Sequence, residues 1–200
     1  MSDLRSFHLD VRLLAMRENA KQGRDPTAAD ETLACLLTWA RDHAAERVLE
    51  IGSAEGLTSV ALLTANKAAT LTAIEFDSAR AETARKNYRL FGVSERVVLH
   101  EGDAGEILPM LTGAYDMIFL DGPKVQYLKY LPDCKRLLKR GGALFSDDIL
   151  LFGWVRGEPP KKRRMLVEHI REYLAALESD SEFKTEILEF GEGLALSVKV

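Results

Sequence analysis

Val48-Leu49-Glu50-Ile51-Gly52-Ser53-Ala54-Glu55-Gly56 reads as a buried strand, a glycine turn and the opening of a helix that runs on from Leu57. Glycine lets the backbone approach a ligand closely, and a helix N-terminus offers unpaired N–H groups. The glycines are spaced GxxxG, not the GxGxxG of a dinucleotide turn, which weakens a pyrophosphate reading and a dehydrogenase with it. Glu50, just ahead of the turn, points the same way. A carboxylate there repels phosphate but welcomes a cationic amine or a sulfonium.

Outward from this turn, short β-rich runs alternate with helical periods, the pattern of a doubly wound sheet. Strands are expected at 70–75, 97–101, 115–120 and 143–146. Helices are expected at 78–91, stopped by Gly92, and at 126–139, closed by Gly141-Gly142. After an irregular stretch at 152–160, residues 161–177 read as a helix. The runs 184–190 and 194–200 read as a hairpin turning at Gly191-Glu192-Gly193. Upstream, one helix covers 4–20 and is broken by Gly23, Asp25 and Pro26; a second covers 28–44, with Thr27 as its N-cap. The expected fold is α/β: a Rossmann-like, doubly wound, mostly parallel seven-stranded sheet with a C-terminal antiparallel hairpin and helices on both faces. It occupies one domain, 1–200, with N-terminal helices in 1–45 and the core in 46–200. In such a sheet a ligand binds at the carboxyl ends of the strands.

Composition limits the function. The chain has 200 residues, 46% hydrophobic and 29% charged, enough for a full-sized core. A formal net charge of −4 excludes a whole-molecule electrostatic grip on nucleic acid, though not a local basic patch. Cys35 and Cys134 are far apart among apolar neighbours, so they read as small core residues and not as a disulfide or zinc framework. His8, His43, His100 and His169 show no ligand spacing. Residues 1–10 lack the apolar core of a signal peptide and no run is long enough to span a membrane, so a cytoplasmic location is expected.

Acidic residues stand at successive strand ends. Glu75 closes the second strand, roughly twenty residues past the turn, where an acid accepts hydrogen bonds from ribose hydroxyls. Asp103-Ala104 follows the third strand, where it can border an adenine. One glycine turn is often only a loop, but the three positions together indicate a nucleoside-bearing cofactor. Asp121 ends the fourth strand and Asp147-Asp148 the fifth, and neighbouring strand ends bring these acids together. Clustered oxygen donors suit a hard cation such as Mg²⁺; alternatively Asp147-Asp148 is a turn or a helix cap. Lys124 rims the same edge. Near a metal its pKa can fall so that it takes a proton; alternatively it is merely solvated.

The runs Val48 to Leu63, Thr72-Ala73-Ile74-Glu75, Glu101-Gly102-Asp103-Ala104, Phe119-Leu120-Asp121-Gly122-Pro123-Lys124 and Ser146-Asp147-Asp148-Ile149-Leu150 closely resemble the catechol and caffeoyl-CoA class of cation-dependent O-methyltransferases. The closing Gly191-Glu192-Gly193-Leu194-Ala195-Leu196-Ser197 extends the resemblance over nearly the whole chain. It implies S-adenosylmethionine at Glu50, Gly52, Glu75 and Ala104, with Ser53, Gly56, Thr58, Phe76, Asp103 and Asp121 as further cofactor contacts. It also implies Mg²⁺, or another divalent cation such as Mn²⁺ or Ca²⁺, on Asp121, Asp147 and the residue at 148, with Lys124 as base and Asp121 beside it in catalysis. This chain departs from the family at one ligand, carrying Asp148 where the family usually has Asn. A third carboxylate adds negative charge there. Loss of Asp121, Asp147 or Lys124 would have favoured a non-catalytic binding module, and all three are present.

A cation held this way favours vicinal oxygens, as in a catechol or in the 5-hydroxyl and O4 of 5-hydroxyuracil. The chain most resembles the short bacterial branch that includes tRNA 5-hydroxyuridine methyltransferases, which make 5-methoxyuridine at the wobble position. Arg156 and the run Pro159-Pro160-Lys161-Lys162-Arg163-Arg164 resemble a basic segment of that branch. Such a run can grip phosphates; alternatively it is a solvated helix start. Cations at a helix N-terminus oppose the macrodipole, which favours an external anion. Mostly on the strength of the resemblance, tRNA is the preferred acceptor and a small catechol-like metabolite the alternative; the resemblance also implies a homodimer, for which the N-terminal helices are candidates.

Overall fold

Seven strands form one sheet in the order β3-β2-β1-β4-β5-β7-β6 in a computed structural model that describes residues 4–23 and 27–200. β1 (Arg47–Ile51), β2 (Thr70–Glu75), β3 (Val97–Glu101), β4 (Tyr115–Leu120) and β5 (Leu138–Ser146) run parallel. β6 (Phe183–Leu188) and β7 (Leu194–Lys199) add an antiparallel hairpin at the β5 edge. The fold is the expected Rossmann-like arrangement. Because side chains alternate along a strand, Val48, Met117, Phe119, Ala143 and Phe145 pack into one core layer, while Leu49, Ile51, Ile118, Leu120 and Leu144 pack into the other. Both faces are apolar because both are covered by helices.

The helices are α1 (Val11–Gly23), α2 (Asp30–Asp42), α3 (Leu57–Ala65), α4 (Ser78–Leu90), α5 (Ala104–Ile107), α6 (Tyr127–Leu137) and α7 (Arg164–Ser179). Cys134 is buried in the second layer and Cys35 packs against the first, consistent with small core residues. Among the described residues no helix is long and apolar enough to cross a membrane.

Three local expectations are corrected and one element is added. The helix expected over 4–20 is a short 3-10 turn, Leu4–Phe7, followed by His8 in the left-handed region (φ 48°) and then α1. Asp10 causes the restart: its carboxylate accepts the Arg12 amide at 2.8 Å and also the Arg12 guanidinium. Thr27 does not cap α2, which starts at Asp30; its hydroxyl instead accepts from Arg17 at 3.0 Å. The break expected at Asp25-Pro26 lies outside the described residues. Gly141-Gly142 does not close α6. The helix ends at Leu137 and β5 runs through the glycines, with a register shift opposite Tyr115 and Met117. A Cβ on Gly142 would sit 2.8 Å from the Asp116 carbonyl, so glycine lets β5 pass close to β4. Finally, the short α5, capped by Asp103 through Gly105, was not anticipated.

Candidate active site

The alternation of β1 that points Val48 into the first core layer also turns Glu50 toward α3. Glu50 is buried and accepts the Ser59 hydroxyl, which also meets the Tyr88 hydroxyl at 3.0 Å. Burial pushes its carboxyl up to about 8, opposed by Ser59 and reinforced by the charges of Asp121 and Glu75. Gly52 then reverses the chain at φ +87°, where a Cβ would lie 2.4 Å from the Asp121 carbonyl. The turn is therefore packed directly on the end of β4. The Ser53 hydroxyl is buried beside it and has no hydrogen-bond partner among the described residues.

Glu75 is fixed by two main-chain amides, Ala54 at 2.7 Å and Asp77 at 2.8 Å, one on each carboxylate oxygen. A carboxylate has about four lone-pair positions, so Glu75 keeps acceptor capacity toward the cleft. That cleft, about 440 Å³, is bounded by Gly52, Glu75, Phe76, Asp103, Ala104 and Asp121. Its volume falls in the range of roughly 300–1,000 Å³ typical of small-molecule sites. Across the turn a smaller recess of about 20 Å³ is lined by Glu50, Gly52, Ser53, Thr58 and Asp121.

The structure thus brings every expected cofactor contact to one place except Gly56, which lines neither space. Its φ of +73° and the Tyr88 ring 2.5 Å from a would-be Cβ give it a packing role in the helix start. Sequence reading missed Arg80, Pro123, Gln126 and Tyr130 on the cleft and Thr27 and Ala28 on the recess. Pro123 and Gln126 could have been found by extending the Asp121 turn; the others carry no local signal.

Beside the cleft, Lys124 Nζ lies 2.8 Å from Asp121 Oδ1 and 3.0 Å from Asp148 Oδ2. Asp147 is buried; its Oδ1 accepts the Asp148 amide at 3.0 Å and the Thr32 hydroxyl at 3.4 Å. Burial raises the Asp147 carboxyl to about 7, with the charges of Asp121 and Asp148 adding and Lys124 opposing. Burial alone would lower the Lys124 ammonium, but its anionic surroundings hold it well above the usual lysine range. In this arrangement the ammonium form of Lys124 is favoured, whereas the lowering expected for it is one that a neighbouring metal would bring. Among the described residues no three acid, histidine or cysteine side chains stand as a ready metal cage. Lys124 supplies the positive charge between two of the acids. Asp148 adopts a left-handed backbone (φ 55°), a conformation that Asn and Asp tolerate best after glycine. Asn would satisfy the same backbone demand as this chain's Asp.

A glycine turn on β1, an acid closing β2, a capping Asp after β3 and acids closing β4 and β5 define a Rossmann-like domain with a nucleoside-sized cleft beside an acidic cluster. Residues 14–200 match the family model described as O-methyltransferase, and the chain belongs to that family. It is similar to a catechol O-methyltransferase of Niastella koreensis, 27% identical over 99% of this chain and 94% of that protein. A candidate caffeoyl-CoA O-methyltransferase of Staphylococcus aureus superposes with a TM-score of 0.91 at 27% identity, covering 99% of this chain and 96% of that one. An O-methyltransferase of Streptomyces achromogenes involved in tomaymycin synthesis, solved in complex with SAM, gives a TM-score of 0.85 at 25% identity, covering 96% and 91%.

Proposed function

We propose that the chain transfers the methyl group of S-adenosylmethionine to one of two vicinal oxygens on its acceptor, with a divalent cation in the acidic pocket. The observation that carries this reading is the convergence of Asp121, Lys124, Asp147 and Asp148 at the rim of the cleft, with Asp121 shared by cleft, recess and pocket. Glu75, held rigid by two amides, is the ribose acceptor. Glu50 and the unpartnered Ser53 hydroxyl face the amino-acid end, where a cationic amine satisfies both. Asp103 and Ala104 border the base.

The donor set fits a hard cation. Two carboxylates, Asp121 and Asp148, share one ammonium, Asp147 lies close enough to feel their charges, and all the donors are oxygens. Mg²⁺, Mn²⁺ or Ca²⁺ held by Asp121, Asp147 and Asp148 would supply Lewis acidity toward the acceptor hydroxyl. The remaining chemistry belongs to the chain. Lys124 Nζ is placed to take the acceptor proton after its own ammonium proton has left to solvent, a loss that a cation neutralising Asp121 and Asp148 would favour by removing part of the charge that holds its pKa up. The cleft walls align the acceptor oxygen with the sulfonium methyl, which leaves sulfur as the new O–C bond forms.

Two acceptor classes fit a vicinal-oxygen requirement. A catechol-like small molecule is favoured by the N. koreensis relative. 5-Hydroxyuridine in tRNA is favoured by one feature of this chain: Lys161, Lys162, Arg163 and Arg164 are all exposed, and none forms an ion pair among the described residues. The reading also includes a homodimer, for which exposed Val11 and Leu14 of α1 are the candidate surface. Incubation with labelled S-adenosylmethionine and Mg²⁺, with and without EDTA, against a catechol and tRNA containing 5-hydroxyuridine tests these points. EDTA-sensitive methylation of one acceptor and not the other identifies the class. Full transfer in EDTA removes the metal role from the three aspartates.

A further inference from the structure

Asp121 and Asp147 belong to different strands, and something must fix the distance between their main chains. The last ladder bond, Asp147 N–H to the Leu120 carbonyl at 3.0 Å, does part of this. The rest falls to a side chain from outside both strands. Tyr127, on the first turn of α6, is fully buried, and its hydroxyl lies between two carbonyl oxygens: Leu120 at 2.9 Å and Asp147 at 3.2 Å. Neither carbonyl can donate, so the single phenolic proton is shared between them. One carbonyl belongs to the residue preceding Asp121 and the other to Asp147 itself.

The ring of Tyr127 is fixed as well. It packs edge-on against Tyr173, with centroids 5.3 Å apart, and the Tyr173 hydroxyl is bound 2.6 Å from Ser146 Oγ, one residue before Asp147. Above its face, 5.4 Å from the centroid, lies the Lys124 ammonium. One buried side chain therefore touches the β4 end, the β5 end and the lysine.

We infer that Tyr127 is a positioning residue: its hydroxyl sets the separation of the Asp121 and Asp147 main chains, and its ring seats Lys124 between Asp121 and Asp148. This rests on the metal-dependent reading of the site for its consequence, but the clamp itself is a property of the unliganded chain.

Tyr127→Phe keeps the ring, its packing and its face toward Lys124, and removes only the shared proton. The Asp147–Leu120 ladder bond remains, so the loss falls on the second tie to Asp147. Hydrogen exchange followed by mass spectrometry on the unliganded protein reads the clamp directly. The variant should exchange faster in segments 120–123 and 146–150 and at the wild-type rate in the rest of the sheet. Titration with Mn²⁺ alone, followed by electron paramagnetic resonance, reads the consequence. Removing a group that orients metal ligands typically weakens metal binding roughly 10- to 100-fold, and that loss is expected here. Tyr115→Phe is the control. It also loses a tyrosine hydroxyl bond to a side chain, to Thr72 Oγ1 at 3.0 Å, but at the start of β4, away from the strand ends, so it should lower thermal stability without changing Mn²⁺ affinity.

Unchanged exchange at the two strand ends in Tyr127→Phe overturns the inference. So does Mn²⁺ affinity equal to that of the wild type, or an equal loss in Tyr115→Phe, which would make the effect one of general stability. A wild-type protein that takes up no Mn²⁺ overturns the metal reading, and the exchange data then still judge the clamp by itself.

Discussion

Glu50 combines full burial, one hydroxyl partner and two acidic neighbours, so its charged form is the costly one. With its pKa raised from 4.5 to about 8, the folded state binds a proton that the unfolded chain has released between those values. Stability from this group is complete below about pH 4.5 and is lost as pH rises to about 8, each pH unit across that window costing about 1.4 kcal/mol. Glu50→Gln removes the titrating group. Urea unfolding of the unliganded variant should show a smaller loss of stability between pH 5 and pH 8.5 than the wild type, while affinity for S-adenosylmethionine falls. An identical pH dependence in the two proteins would place the titration elsewhere. Asp148 supports a second prediction at this scale. Its left-handed backbone suits Asn as well as Asp, so Asp148→Asn should match the wild type in unfolding free energy. Asp148→Val, β-branched at a positive φ, should lose about 1–2 kcal/mol. The sequence named this position as an acid at a strand end. It could not show that the backbone there demands a residue of this shape, because φ is set by how β5 leaves the sheet.

The turn after β1 was the most legible element, since a buried run ending in spaced glycines has few other readings. The structure adds a steric reason that the sequence lacks: Gly52 faces the carbonyl of Asp121, just past the end of β4 and 69 residues further along the chain. Gly52→Ala meets both a positive φ and a Cβ 2.4 Å from that carbonyl. Gly92→Ala meets a positive φ of 67° with nothing within 4 Å of its Cβ. Chemical denaturation should give a cost of about 1 kcal/mol for Gly92→Ala and clearly more for Gly52→Ala, the difference being the clash. Equal costs would mean that the turn can retreat from β4. The junction of α6 and β5 was the least legible element. Lys139, Arg140 and two glycines look like a frayed helix end. They join the sheet because Leu138 pairs with Tyr115 and Lys139 Nζ reaches Asp116 at 2.6 Å, partners that no local window contains.

Across the whole molecule, the mostly parallel seven-stranded sheet with its antiparallel hairpin followed from counting strands, and the expected site residues from noting what ends each one, while the strand order is a property of the fold. The N-terminal contribution did not, because Thr32 reaches Asp147 and Arg17 holds the Ala28 carbonyl at 2.7 Å only after α1 and α2 have docked on the sheet. Charge is the other property that belongs to the molecule as a whole. The chain carries a net charge of −4, yet Lys161, Lys162, Arg163 and Arg164 stand together and exposed just before and at the start of α7. An acidic surface repels a polyanion at long range, so any tRNA contact must depend on this patch and must be salt-sensitive. Each lysine that neutralises a phosphate contributes roughly 0.7–0.9 to the slope of log affinity against log salt. Lys161→Ala with Lys162→Ala should therefore flatten that slope for tRNA binding by about 1.4–1.8 if both lysines contact phosphate. A small neutral catechol has no phosphates to release counterions from, so its KM should show the same weak salt dependence in both proteins. An unchanged tRNA slope in the double variant would take the basic segment out of acceptor binding and leave the small-molecule acceptor as the better account of this chain.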